Sequence, residues 1–284
     1  MRLSTAWPQF EADKRLLGYS PYTLKAYKLQ SRLLAEFLED PEIEEVKTED
    51  LKGYLISLTH LKPASIGHRI RFIKSIFRWA QDEGIITGNP ATKLREPKQG
   101  QRLPKALSEE VVEMLREACE GAFEHSLVEL IYTTGCRIGE IYQLNRGDLN
   151  FNQRSVVVRG KGDKDREVYF HYRASIWLQK YLESRTDDDI ALFVTRRKFG
   201  NESEPRRMSI AQLRYVIKRI AERADVDVNV YPHKFRHSYA CHLLNNGAPM
   251  EAVSSLMGHS KIETTRIYAQ LSGERRREMY QKYF

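Results

Sequence analysis

Four short segments in the second half of this 284-residue chain gather side chains suited to phosphoryl transfer: TTGCRIGE (133–140), RGKGDKDRE (159–167), PHKFRHSYA (232–240) and LMGHSKIETTRIYAQ (256–270). Arg137 stands where one helix gives way to another, and Glu140, three residues on, shares its helical face and can brace it. A guanidinium fork matches two oxygens of one phosphate. Lys161 lies between Gly160 and Gly162 in a tight turn, where a mobile ammonium can protonate a leaving hydroxyl or touch a phosphate. His233 and Arg236 fall one helical turn apart, so one can move protons while the other binds charge. His259 follows Gly258, and Tyr268 comes late in the chain. A phenol is a poor nucleophile at its free pKa of about 10 and needs cations or a proton acceptor beside it. Arg137, Lys161, His233, Arg236 and His259 would supply both.

Taken singly, each feature has a plainer explanation. Arg137 with Glu140 reads as a surface helix pair, Lys161 as a solvated hairpin tip, and a tyrosine on an amphipathic helix as a boundary residue. His233 and His237 have the i, i+4 spacing of a zinc site and lie near Cys241 and His242. Lys234 and Arg236 would crowd it with positive charge, and no Glu lies between the two histidines, so no metal is expected.

The chain as a whole narrows the class. Hydrophobic residues make up 41%, with no apolar run long enough for a membrane helix, and the first residues lack a secretory core. A cytoplasmic protein with no membrane partner is the expectation. Three scattered cysteines give neither a disulfide framework nor a paired metal motif. Residues 1–150 hold 21 Lys and Arg against 22 Asp and Glu, whereas residues 151–284 hold 25 against 16. That asymmetry directs a polyanion towards the second half.

The elements that must position these side chains are mostly helical. Ser20-Pro21 caps and opens a helix with Leu24, Tyr27, Leu34 and Leu38 on one face. Thr48 caps a second through Leu58, Pro63 opens a third towards Gly84, and a fourth falls near Pro90 to Leu94, together forming a small bundle. On the third helix Ile66, Ile70, Ile73 and Phe77 can pack, while Arg71, Lys74 and Arg78 form a basic stripe able to grip phosphates. REPKQGQRLPK (95–105), with two prolines and four basic residues, reads as an extended linker. SEEVVEMLREAC then starts a second helical region at Ser108. Val156–Val158 and Glu167–Phe170 flank Gly160-Lys161-Gly162-Asp163 as a β-hairpin, Ala191 to Thr195 adds a candidate strand, and helices resume after Ser209.

The ordered set Arg137 with Glu140, Lys161, His233-x-x-Arg236, His259 and Tyr268 resembles the tyrosine recombinase (phage integrase) family, above all its compact Xer-like and transposon-encoded members. The resemblance spans nearly the whole chain. Cys136, Gly139, Phe235 and Tyr239 stand where Leu, Ser, Leu and Phe are common in that family.

The family implies a mainly α fold with a small antiparallel β-sheet, arranged as a two-domain C-shaped clamp. A four-helix SAM-like core-binding domain (1–95) would be joined by a linker (96–107) to an α+β catalytic domain (108–284) ending in a docking tail. It also implies that Tyr268 attacks a DNA phosphodiester to leave a 3′-phosphotyrosyl bond, with no ATP, metal or other cofactor. Arg137 and Arg236 would hold the non-bridging oxygens, Lys161 would protonate the 5′-oxygen, His233 and His259 would assist, and Glu140 would orient its neighbours. The partner would be a double-stranded DNA recombination site. A homotetramer, or a heterotetramer with a paralogue, would bring two sites together and exchange strands through a Holliday junction. Two rivals remain at this level: a type IB-like DNA topoisomerase, and a catalytically silent DNA-binding regulator.

Overall fold

Leu3, Ala6 and Phe10 recur at helical spacing, and residues Leu3–Leu16 form a helix (α1) that buries all three, with Pro8 inside it. This computed structural model describes residues 1–98, 106–160, 164–195, 205–258, 265, 280–282 and 284. The chain divides into two units, Met1–Gln101 and Arg102–Phe284.

In the first unit α1 is followed by α2 (Pro21–Phe37), α3 (Thr48–Ser57) and α4 (Pro63–Asp82). The set is shifted from the one expected. The helix α1 was missed because an interior proline removes a hydrogen bond and masks the pattern, whereas burial of Leu3, Trp7 and Phe10 offsets that loss. Pro90–Leu94 forms turns rather than a helix: five residues cannot repay nucleation, and Asn89 Oδ1 instead accepts from Ala91 N at 2.9 Å.

The expected cap at Ser20 is present, its hydroxyl accepting from Thr23 N at 3.2 Å. Thr48 does not cap α3: Asp50 takes the Lys47 N–H at 2.8 Å, while the Thr48 hydroxyl donates to Pro90 O at 2.8 Å and ties the turn to the helix. Ile70, Ile73 and Phe77 of α4 are buried as expected, with Phe72, Ile76 and Trp79 widening the apolar arc. Rings of Phe10, Tyr27, Phe72 and Trp79 meet at the centre.

The second unit begins with α5 (Glu109–Glu117), capped by Ser108, whose hydroxyl accepts from Val111 N at 3.3 Å. Helix α6 (Gly121–Thr134) buries Leu127, Val128, Leu130 and Ile131, successive enough to occupy most of its circumference, so it runs through the core. Then come α7 (Ile138–Gln143) and an antiparallel sheet of β1 (Leu149–Asn150), β2 (Ser155–Arg159) and β3 (Asp165–Tyr169), in the order β1-β2-β3. Val156 pairs with Val168 and Val158 with Arg166, which gives the expected hairpin its register.

Four further helices follow: α8 (Tyr172–Glu183), α9 (Ile210–Arg223), α10 (Pro232–Asn245) and α11 (Met250–Met257). Ala191 to Thr195 is not a strand; it makes single bridges, Asn145 with Ala191 and Val194 with Arg207, because its apolar residues plug the core instead of pairing along an edge. Of the tail, residues 280–282 are helical, and the exposed rings of Tyr280 and Phe284 stack 5.0 Å apart.

Candidate active site

Helix α6 ends at Gly135, whose φ of 60° is the left-handed conformation that glycine adopts without steric penalty. The Tyr239 ring of α10 packs against it so closely that a Cβ there would lie 2.3 Å from the ring. This sharp end delivers Arg137 to the N-cap of α7. Glu140, in the first turn, accepts from Arg137 N at 2.7 Å and from Arg137 Nη1 at 2.9 Å, so the expected brace is present. At the other end of α7, Arg207 Nη1 donates to Tyr142 O at 2.7 Å and Leu144 O at 2.8 Å, satisfying carbonyls that the short helix leaves unpaired.

Pro232 opens α10 and places His233 and Arg236 one turn apart. Arg236 is only 3% exposed. Its Nη1 donates to Gly135 O at 2.7 Å and its Nη2 to Met257 O, so one guanidinium joins the ends of α6 and α11. His233 is exposed, yet partial burial and the charges of Arg236, Arg137 and Arg214 push its pKa down. A neutral imidazole beside three guanidinium groups can accept a proton at neutral pH. The Arg236 bond to Gly135 O, two residues before Arg137, brings the start of α7 against α10, which carries His233 and Arg236.

One participant was not foreseen. Arg166 on β3 donates from Nη1 to Glu140 Oε1 at 2.9 Å, from Nη2 to Glu140 Oε2 at 2.8 Å, and from Nε to Leu256 O at 2.9 Å. Burial alone would raise the pKa of Glu140, which is 5% exposed, but the hydrogen bonds from Arg166 and Arg137 outweigh it and hold the carboxyl below its usual range. The signal was in the strand period. Arg166 shares the parity of the buried Val168, and an arginine on the inward face of a strand requires a buried partner. Arg214, on α9, was likewise not singled out.

Lys161, His259 and Tyr268 lie outside the described residues. Arg71, Lys74 and Arg78 are on α4 in the other unit; Arg71 pairs with Glu96 at 2.5 Å, Arg78 with Asp82 at 3.3 Å, and Lys74 is half-buried. The departures from the family pattern cluster at the site: Cys136 and Phe235 are buried, and burial pushes the Tyr239 phenol up to about 12. Among the described residues no group of three or more His, Cys, Asp or Glu side chains is placed to hold a metal ion, and no helix is long and apolar enough to cross a membrane.

Residues 101–275 match the phage integrase family, a span containing every residue of the candidate site. The chain is 36% identical to tyrosine recombinase XerD of Ralstonia nicotianae over 94% of its own length and 89% of the relative's. It is 32% identical to tyrosine recombinase XerC of Oceanobacillus iheyensis, over 93% and 90%. Among solved structures, a lambda integrase dimer bound to a COC′ core site superposes with a TM-score of 0.76 at 19% identity, covering 93% of this chain and 97% of that one.

Proposed function

The chain belongs to the phage integrase family and is a site-specific tyrosine recombinase, and from that premise we propose that Tyr268 is the nucleophile that breaks and rejoins DNA. Its phenolic oxygen attacks a backbone phosphorus and displaces the 5′-oxygen, leaving a 3′-phosphotyrosyl bond and a 5′-hydroxyl. The phosphoester count is unchanged, so reversal with the 5′-hydroxyl of a second duplex exchanges strands without an energy source. Arg137 and Arg236 bind the non-bridging oxygens as charge builds on the phosphorane. His233 accepts the phenolic proton, Lys161 protonates the departing 5′-oxygen, and His259 donates a hydrogen bond to the phosphate.

The observation that supports this assignment most directly is the bond from Arg236 Nη1 to Gly135 O, two residues before Arg137, which brings the start of α7 to the helix that carries His233, whose pKa is pushed down by burial and the neighbouring cations. Fixed donors aimed at developing charge are the largest lever in such chemistry, each worth roughly 10²- to 10³-fold.

Residues 1–95 act as the core-binding domain, with Arg71, Lys74 and Arg78 on phosphates; 96–107 link it to the catalytic domain, 108–284. Double-stranded DNA is the partner, a tetramer on two sites the working assembly, and the cytoplasm its place of action. The curated relatives are recombinases, and neither DNA relaxation alone nor silent DNA binding is favoured by them.

The decisive experiment traps the intermediate on nicked duplexes carrying a site mapped by footprinting. Wild-type protein gives a denaturation-resistant protein–DNA band, and Tyr268→Phe gives none while binding the site with unchanged affinity. An equal yield of adduct from the variant refutes the nucleophile.

A further inference from the structure

Arg166 takes no part in the steps above, yet its guanidinium occupies the junction of three segments that carry them. It stands on β3 opposite Val158, on the strand face that also bears Val168. That strand pairs with β2, and Lys161, outside the described residues, falls between the two in sequence. Its forked contact is with Glu140, which braces Arg137, and its Nε contact is with Leu256 O, three residues before His259 in sequence. Two glycines leave room for it: a Cβ on Gly258 would lie 2.9 Å from Arg166 Cδ, and one on Gly160 would lie 3.3 Å from its Nη1.

We infer that Arg166 is a positioning residue for DNA cleavage, fixing the Glu140 carboxylate and through it the Arg137 guanidinium at the scissile phosphate. The inference rests on the reading of Arg137 as a phosphate clamp. Glu140 receives four donors, two from Arg137 and two from Arg166, so both oxygens are engaged from two sides. Without Arg166 the buried carboxylate loses half of them. It then draws the Arg137 guanidinium towards itself and away from the phosphate, or it takes up a proton.

This makes the effect readable in pH. The groups facing the carboxyl are Arg137 at the start of its own helix, Arg166 on β3 and Cys136 in the preceding turn, with Arg236 and Tyr239 of α10 around the same Cys136–Arg166 centre. Burial pushes the Glu140 carboxyl up, and Arg166 is the first of the groups that hold it down. Removing Arg166 leaves the burial in place, so the folded-state pKa rises. Cleavage that needs the carboxylate is then lost, as pH falls, at a higher pH than in the wild type.

The test uses the full-length protein on nicked duplexes carrying the mapped site, with single-turnover adduct formation followed across pH. R166K, which keeps the charge but cannot make the fork and the Nε bond together, binds the site as the wild type does. It cleaves about 10- to 100-fold more slowly, the loss typical when a group that orients a functional ligand is removed, and its acid limb lies at higher pH. The slowing is shared with E140A: the double variant E140A/R166K is no slower than E140A alone, as expected for residues acting as one unit.

Should R166K not fold, E140Q serves the same purpose. It keeps the volume but cannot titrate, so it is slow at every pH and keeps only the acid limb that His233 sets. Wild-type rates from R166K or E140Q, or a pH-independent R166K loss that adds to that of E140A, overturn the inference and leave the phosphate-clamp reading standing. Absence of adduct from the wild-type protein itself overturns both.

Discussion

Gly135 shows how a single residue holds the site together. It ends α6 with φ 60°, its carbonyl accepts from Arg236, and the Tyr239 ring occupies the space a side chain would need. A Gly135→Ala protein therefore meets two penalties: a left-handed alanine, about 1–2 kcal/mol, and overpacking, about 1–3 kcal/mol. Urea denaturation should register a loss of about 2 kcal/mol or more. Adding Tyr239→Ala to this variant should restore part of the loss, because it removes the clash but not the backbone strain; an unchanged midpoint for Gly135→Ala itself would show that the turn relaxes freely. The sequence placed a helix junction before Arg137. It did not reveal that an aromatic ring from α10, 104 positions after Gly135, closes that junction.

At the scale of elements, the crossing of α5 on α6 rests on a charge that the sequence offers no reason to bury. Glu129 is 0% exposed in the middle of α6, and Arg116 of α5 meets it with Nε at 2.7 Å and Nη2 at 3.0 Å. Arg116 also lies over the Tyr132 ring, 5.2 Å from its centroid, and its pKa is pushed up: burial alone would lower it, and the hydrogen bonds it donates to Glu129 outweigh that. Removing one partner of a buried pair leaves an uncompensated charge, so Arg116→Ala should cost about 3 kcal/mol of unfolding free energy. Replacing both by apolar residues, as in Arg116→Met with Glu129→Leu, should recover most of it, read from chemical denaturation of the two variants side by side. If the double variant is less stable than the single one, the pair contributes net stability rather than specificity.

The whole molecule changes the meaning of the charge. Halves cut at residue 150 differ sharply, but the boundary between units falls at Gln101 and Arg102. Divided there, residues 1–101 carry 16 Lys and Arg against 13 Asp and Glu, and residues 102–284 carry 30 against 25, so both units are net basic. The acidic stretch after Ser108 belongs to the second unit and dilutes its excess. Both units can therefore share an electrostatic hold on DNA. If Arg71, Lys74 and Arg78 each meet one phosphate, the triple alanine variant should lower the slope of log affinity against log salt by about 2.7, at roughly 0.9 per phosphate. The loss should be similar on specific and non-specific duplexes. An unchanged slope would assign the stripe to the ion pairs with Glu96 and Asp82 alone.

What this sequence determined by itself was local: the caps at Ser20 and Ser108, the antiparallel pairing of β2 with β3, the bonding of Arg137 to Glu140, and the placement of His233 and Arg236 one turn apart on a helix. Such features follow from forces that act over three or four residues, so periodicity and residue type reveal them. Only the tertiary structure decided that α1 forms around a proline, that Arg236 is buried against the ends of α6 and α11, and that Arg166 completes the shell of Glu140. Those outcomes depend on which distant groups burial brings together, since desolvated charges must find their partners wherever the chain's packing puts them.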